Sequence, residues 1–154
     1  MRYRGPKSYW AGPGTAPQSA GFGVAGAMAG TGSKRIVEGV VDQIRKAYEA
    51  DKELKIDLVG FSRGAAIANE VATMLNEQRW GKEGEKAAPK VRFLGLFDPV
   101  HSMGMLFYNQ AGDPLFVGNR QWNGKTITPN VEHSAIAYAD DERSPLFRPS
   151  DLVA

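Results

Sequence analysis

The strongest constraint on the fold of this chain is an apolar segment that runs through a glycine-bounded turn into an amphipathic helix. We predict a short strand over residues 55–59, a tight turn over residues 60–64 and a helix over residues 65–76. A strand followed directly by a helix begins a βαβ unit, and such units build parallel sheets. Functional loops lie at the carboxyl ends of the strands in sheets of this kind, so the turn at residues 60–64 is the first candidate site.

Strand-like and helix-like segments alternate through the rest of the chain. Apolar residues at three- and four-residue spacing predict a helix over residues 33–50, and an apolar run predicts a strand over residues 91–97. We also expect a short strand at residues 7–10 and a short helix at residues 132–139. This order indicates the α/β class, in a single domain that spans residues 1–154.

Composition excludes several classes of protein. The chain has no cysteine, which rules out disulfides and thiolate metal clusters. Lysine and arginine total 19 against 17 acidic residues, and the net charge of +2 is small for a nucleic-acid binder. No apolar run reaches the ~20 residues of a membrane span. The basic N-terminus has no apolar core behind it, so we expect either a cytoplasmic protein or one exported without a secretory signal.

The turn carries the pattern Gly-x-Ser-x-Gly, with Ser62 at its centre. A serine between a strand and a helix can project its hydroxyl into an active site as a nucleophile. The helix that begins after Ser62 directs its N–H groups and its positive dipole end toward the same place, and the N–H of Arg63 is a natural donor to an oxyanion. The alternative is a structural turn whose serine only caps the helix.

A serine nucleophile needs a base, and the base needs a carboxylate that orients it. Asp98 follows the strand predicted at residues 91–97, so we expect it at the same sheet edge as Ser62. The chain has two histidines, His101 and His133. The order Ser62, Asp98, His133 is the chain order of α/β-hydrolase triads and favours His133 as the base, with His101 as the alternative.

These assignments have structural alternatives. An aspartate before a proline, as at Asp98-Pro99, also serves as a turn cap, and a histidine is more often structural than catalytic. The acidic residues 140–142 are further candidate acids, although a charge run of this kind usually forms solvated surface. Two histidines without a paired spacing do not make a metal site, so we expect neither a metal nor another cofactor.

Several segments together resemble one family. Residues 58–65 resemble the nucleophile elbow of the α/β-hydrolases typified by the type VI secretion lipase (phospholipase) effectors of bacteria. Residues 9–15, 93–100 and 133–149 are similar, in the same order, to that family's aromatic–Gly-x-Gly-Thr segment, acid-bearing strand and histidine segment. The resemblance implies a three-layer α/β-hydrolase sandwich with a mainly parallel sheet, and lipid esters as substrates. It also implies Ser62 as nucleophile, Asp98 as acid and His133 as base.

The chain departs from the family in one respect. Members usually have an earlier strand that ends in an Asp-Gly-Thr-type loop beside the oxyanion, and this sequence begins downstream of that loop. We therefore expect a compact or N-terminally shortened member. Gly12 and Gly14 lie in the loop that is expected to supply the second oxyanion donor, and we expect the glycine-rich residues 1–32 to be ordered against the site.

Apolar side chains after the expected acid are candidates for a substrate pocket. Met103, Leu106 and Phe107 lie in the apolar segment 102–108, and with Phe61 they are expected to contact the acyl part of a substrate. A buried core element is the alternative for this segment. The partners compatible with the sequence are a small-molecule or lipid ester, a peripheral membrane contact and further copies in a homo-oligomer, but no nucleic acid.

The predicted function is the cleavage of carboxylic esters, as an esterase or lipase, through an acyl-enzyme on Ser62. Two alternatives stay open. One is a non-catalytic, hydrolase-like interaction module that binds a partner through an exposed sheet edge. The other is an acyltransferase or thioesterase that uses the same triad.

Overall fold

The computed structural model describes residues 5–12, 33–77, 89–100, 105–108, 114–117 and 126–139. Two helices and five strands lie in this part of the chain. In chain order they are α1 (Ser33–Ala50), β1 (Ile56–Phe61), α2 (Arg63–Glu77), β2 (Val91–Phe97), β3 (Met105–Tyr108), β4 (Pro114–Val117) and β5 (Val131–Ala137). No helix among the described residues combines the length and apolar character that crossing a membrane requires.

Strands β1, β2 and β5 form a parallel sheet in that spatial order. Their last residues, Phe61, Phe97 and Ala137, are paired across the sheet. The three carboxyl ends therefore meet at one edge, and the residues that follow each strand are brought together there. Strands β3 and β4 form a separate antiparallel pair.

The hydrophobic core lies between the helices and one face of the sheet. Helix α2 packs on β1 and β2, and α1 packs against α2. The alanines of α2 at 65, 66, 68 and 72 are buried, and such small side chains let the helix approach the sheet closely. The fully buried side chains that fill the core from both layers are Val37, Val41, Val71, Leu75, Val91, Leu94 and Leu96.

The opposite face of the sheet, called the open face below, carries large exposed side chains in the described part of the chain. Alternate side chains of β1 and β2 project to it, because successive residues of a strand point to opposite faces. Val59, Phe61, Phe93 and Phe97 are exposed there, whereas Leu94 and Leu96 on the other face are fully buried. The described residues thus supply two layers, helices and sheet, of the three that the sequence predicts.

Polar contacts fix the amino-terminal end of the sheet. Asp57 and Arg92 form a two-point ion pair beside the irregularity in register between β1 and β2. Asn130, which is buried just before β5, donates from Nδ2 to the carbonyls of Ala72 in α2 (3.1 Å) and Pro89 before β2 (3.4 Å). Its Oδ1 accepts a 2.6 Å hydrogen bond from the Thr128 hydroxyl. One amide thereby joins three parts of the chain.

Most predicted elements are confirmed. The helix at Ser33–Ala50 and the strand at Val91–Phe97 have the expected bounds. The predicted strand at 55–59 is Ile56–Phe61, and the predicted helix at 65–76 begins earlier, at Arg63. The α/β class with a parallel sheet is therefore correct. Residues 13–32, in the segment expected to lie against the site, are outside the described residues.

Two local predictions are wrong. Residues 132–139, predicted as a short helix, lie mostly in strand β5, because pairing along β2 outweighs the helix preference of this alanine-containing segment. Residues 7–10, predicted as a strand, form none. Instead Ser8 Oγ and Trp10 Nε1 both donate to Gln43 Oε1 of α1, at 3.0 and 3.1 Å, so side-chain contacts hold this segment on the helix.

Candidate active site

Ser62 is the single residue between β1 and α2, at the carboxyl edge of the sheet. Its φ is 54°, a left-handed conformation that costs a non-glycine residue roughly 1–3 kcal/mol. This conformation is the sharp turn that the sequence predicts for a serine presented between a strand and a helix. The side chain is half-buried.

Four backbone hydrogen bonds hold Ser62 in this conformation. Its N–H donates to the carbonyl of Phe97 at 2.8 Å, which ties the turn to the end of β2. Its carbonyl accepts from Ala65 (2.9 Å) and Ala66 (3.4 Å), the start of the α2 ladder, and from Val100 (3.3 Å) in the segment after β2. The turn is therefore fixed from the sheet, from the helix and from the loop that carries Asp98.

The two glycines of the turn have different roles. A Cβ on Gly60 would lie 2.2 Å from the carbonyl oxygen of Gly64 and 2.6 Å from the Cα of Ala65, so β1 and α2 meet there backbone to backbone. A Cβ on Gly64 would meet nothing within 4 Å. Gly60 is therefore required, because any side chain there would collide with the backbone of α2. Gly64 is not required for this reason, since the space beside it at the first turn of the helix is open.

Asp98 occupies the equivalent position after β2. Its φ is 47°, and its N–H donates to the Ala137 carbonyl of β5 at 2.8 Å, repeating one strand further on the bond from Ser62 to Phe97. The carboxylate oxygen Oδ1 accepts a hydrogen bond from the N–H of Ala139. Because neighbouring strands lie ≈ 4.8 Å apart, Ser62 and Asp98 are brought side by side at the sheet edge, as expected from the sequence.

The structure does not bring His133 to Ser62. His133 pairs in register with Phe93, four residues before the end of β5 at Ala137. At ~3.3 Å per residue this places it about 13 Å back from the carboxyl edge of the sheet, well beyond hydrogen-bond reach of a serine there. It is exposed, in register with residues of the open face.

The remaining predicted site residues lie beside Ser62, in the segment 5–12, on β3 or outside the described residues. Arg63 is the first residue of α2, where the helix dipole is positive, and Phe61 is exposed on the open face directly before Ser62. Gly12 ends the described segment 5–12, which Ser8 and Trp10 attach to α1. His101, Gly14 and Met103 lie outside the described residues, and Leu106 and Phe107 are on β3 without described side chains.

Sequence reasoning missed the participation of Phe97 and Val100. Both act through backbone groups, which hold Ser62 from the side of β2, and backbone contacts leave no signature in residue type. The apolar pair Pro99-Val100, directly after a strand-end aspartate, is a sequence signal for a loop that folds back onto the sheet. Both residues are buried in the structure. That fold brings the chain just before His101 against Ser62.

No group of three or more potential metal ligands occurs within the described ranges. In comparisons with protein-family models, with curated proteins and with solved structures, none matches this chain.

Proposed function

We propose that this protein is a serine hydrolase that cleaves carboxylic esters, with Ser62 as the nucleophile. The observation that carries the proposal is the left-handed Ser62, held by four backbone hydrogen bonds at the carboxyl edge of a parallel sheet. Backbone strain persists only where the surrounding structure enforces it, and it concentrates at functional sites. A serine that only capped the helix would need no positive φ, since capping residues ordinarily adopt extended backbone.

In the proposed reaction, Ser62 Oγ attacks the ester carbonyl carbon while a histidine takes its proton. The carbonyl oxygen becomes an oxyanion at the start of α2, where backbone N–H groups and the helix dipole favour negative charge. The tetrahedral intermediate collapses, the histidine returns the proton to the departing alcohol, and an acyl-enzyme remains on Ser62. Water, deprotonated by the same histidine, then attacks the acyl-enzyme and releases the acid and free Ser62.

The position of the base favours His101 over His133 in this proposal. Val100 is hydrogen-bonded through its N–H to the Ser62 carbonyl, and His101 is the next residue in the sequence. His133 is separated from the edge by four residues of β5. Asp98 remains the acid for either histidine, because a carboxylate has about four acceptor sites and Ala139 uses one.

The substrate class follows in part from what lies beside Ser62. Phe61 and Phe97, which precede Ser62 and Asp98, are paired across the sheet and exposed. They offer an apolar surface for the acyl part of an ester. Esters from short-chain to lipid fit this surface, the lipid end of the range being the one that the family resemblance implies. Transfer of the acyl group to an acceptor other than water, or cleavage of a thioester, would use the same acyl-enzyme.

The test is hydrolysis of p-nitrophenyl acetate, butyrate and octanoate, and of phospholipid, by the purified chain. We expect Ser62→Ala to lower kcat by about 10⁴–10⁶, as removal of a serine nucleophile does elsewhere. Thr73→Ala is the matched control, because it removes a hydroxyl from α2 that donates within the helix, to the carbonyl of Asn69. Activity that survives Ser62→Ala would overturn the proposal.

The two histidines are separated by the same assay. Under the proposed geometry, His101→Ala abolishes turnover and His133→Ala changes kcat by only a few fold. Loss of activity in His133→Ala alone would return the base to His133 and leave Ser62 as the nucleophile. If the wild-type chain hydrolyses esters and both His101→Ala and His133→Ala keep that activity, a serine–histidine mechanism is excluded.

A non-catalytic interaction module is the second candidate, and one observation favours it. The sheet leaves an apolar face open, as a binding surface would. A folded chain that fails to hydrolyse every ester tested would support this reading.

A further inference from the structure

Asp98 is bonded twice to the short stretch at the end of strand β5. Its N–H donates to the carbonyl of Ala137 at 2.8 Å, and its carboxylate oxygen Oδ1 accepts from the N–H of Ala139. Asp98 and Ala139 are 41 residues apart in the chain, so this second bond is a tertiary contact and not the local turn cap that an aspartate before a proline can form. The backbone and the side chain of Asp98 are therefore both held by residues 137–139.

The bond from Ala139 fixes the direction of the carboxylate. An aspartate side chain turns about two torsions, and a hydrogen bond from a backbone N–H to its Oδ1 restricts both. The donor is itself held in place, because β5 is paired with β2 up to Ala137. Hydrogen bonds to an ionised carboxylate are also stronger than those between neutral groups. Within the described residues, no other hydrogen bond or ion pair to the Asp98 carboxylate is present, so Oδ2 is left for a further donor.

We propose that the N–H of Ala139 is a positioning group for Asp98, which holds Oδ1 so that Oδ2 is presented to the histidine that serves Ser62. The proposal rests on the serine hydrolase function proposed above. In that reaction Asp98 accepts the N–H of the histidine, keeps the other ring nitrogen directed at Ser62 Oγ and stabilises the imidazolium that forms. A carboxylate that rotates freely would do so in only part of its conformations. The end of β5 thus serves the site through its backbone, and not through the His133 side chain that the sequence predicts.

The test removes this N–H from the full chain. Ala139→Pro has no backbone N–H, and we expect it to lower kcat for p-nitrophenyl butyrate about 10–100-fold with KM unchanged, because small displacements of catalytic groups have effects of this size. Ala139→Gly is the matched conservative variant. It removes only an exposed methyl group and keeps the N–H, so it should retain most of the wild-type kcat. Equal losses in Ala139→Pro and Ala139→Gly would overturn the proposal.

A second variant removes the N–H without a proline ring, which could disturb the chain after β5. Incorporation of lactic acid at position 139 replaces the N–H by an ester oxygen and keeps the methyl group of alanine. It should show the same loss of kcat as Ala139→Pro. Wild-type kcat in the lactic acid variant would overturn the proposal, even if the proline variant is inactive.

Combination with Asp98→Ala distinguishes a positioning role from a purely structural one. The rate that remains without the acid is measurable at high enzyme concentration, since a serine hydrolase that lacks one triad member still acts well above the rate in water. A group that acts only through Asp98 has nothing to position in that variant, so adding Ala139→Pro should change kcat by less than about twofold. A further drop as large as in the wild-type background would overturn the proposal and leave the serine hydrolase in place. A wild-type chain that hydrolyses no ester would instead overturn the proposed function, and this proposal with it.

Discussion

At the scale of single residues, the account depends on two positions that the chain holds in a left-handed conformation. Ser62 and Asp98 follow neighbouring strands, and each donates its N–H to the last residue of the next strand. The sequence predicts that these residues meet, because both follow apolar runs that end at one sheet edge. It also predicts a sharp turn at Ser62, but not the positive φ of Asp98, whose N–H is held by the carbonyl of Ala137.

Gly60 and Gly64 provide a test of the turn that does not depend on activity. Gly60→Ala should destabilise the fold by about 1–3 kcal/mol, because its Cβ would press against the Gly64 carbonyl and α2 would have to move away from β1. Gly64→Ala should be neutral or stabilising by up to about 1 kcal/mol, because alanine fits the open space and favours the helix. Urea denaturation measures both. Equal effects of the two substitutions would contradict the close contact at Gly60.

At the scale of elements, hydrophobic periodicity was sufficient for α1, α2, β1 and β2. These segments have clear apolar repeats that agree with their final packing. Strand β5 was mispredicted as a helix because it contains alanines and a glutamate and only two larger aliphatic residues, Val131 and Ile136. Its conformation is decided by pairing with β2, which single-sequence patterns do not record. The expectation that His133 meets Ser62 comes instead from the chain order of α/β-hydrolase triads, and the position of His133 within β5 does not support it.

Asn130 should be an important anchor of β5. Asn130→Ala removes the hydrogen bonds to the Ala72 and Pro89 carbonyls and should cost about 1–3 kcal/mol of stability. Asn130→Asp should cost more at neutral pH, because it puts a negative charge against those two carbonyls in a buried site. Thr128→Val is the comparison variant. It removes the hydroxyl that donates to Asn130 Oδ1 and keeps the Asn130 side chain.

Unfolding midpoints in urea give the order of these variants. The expected order of stability is wild type, Thr128→Val, Asn130→Ala and then Asn130→Asp. An Asn130→Ala variant as stable as wild type would mean that β5 is held by its pairing with β2 alone.

At the scale of the whole molecule, one half-buried carboxylate links stability to pH. Burial raises the pKa of Glu70 on α2 above its ordinary value of 4.5, and the nearby charge of Glu77 raises it further. One carboxylate oxygen, Oε2, is buried and has no hydrogen-bond partner. The folded state therefore binds this proton more readily than the unfolded state, and the contribution of Glu70 to stability falls as pH rises from about 4.5 through the raised pKa.

Glu70→Gln should remove this dependence. The variant should gain stability over wild type as pH rises above 4.5, and the two curves should converge below pH ~4, where Glu70 is protonated in both states. Glu49→Gln, which makes the same substitution on the exposed side of α1, is the control. Thermal unfolding from pH 3.5 to 8 provides the measurement. A stability difference between Glu70→Gln and wild type that stays constant from pH 3.5 to 8 would contradict the raised pKa of Glu70.

The whole molecule is also where sequence reasoning reached its limit. Apolar patterning predicts which side chains leave water, but it does not distinguish a face covered by this chain from one covered by a partner. Val59 and Phe97 belong to apolar runs that predict strands, and both are exposed on the open face.

The most direct measurement of the central claim is covalent labelling by a fluorophosphonate probe, which reacts with serines activated as nucleophiles. Intact mass and peptide mapping of the labelled chain should show one adduct, on Ser62, and Ser62→Ala should take up none. The adduct should also disappear in Asp98→Ala or diminish strongly, because the base loses the carboxylate that orients it. A folded chain that takes up no probe, or one that is labelled at another serine while Ser62 stays free, would contradict the account.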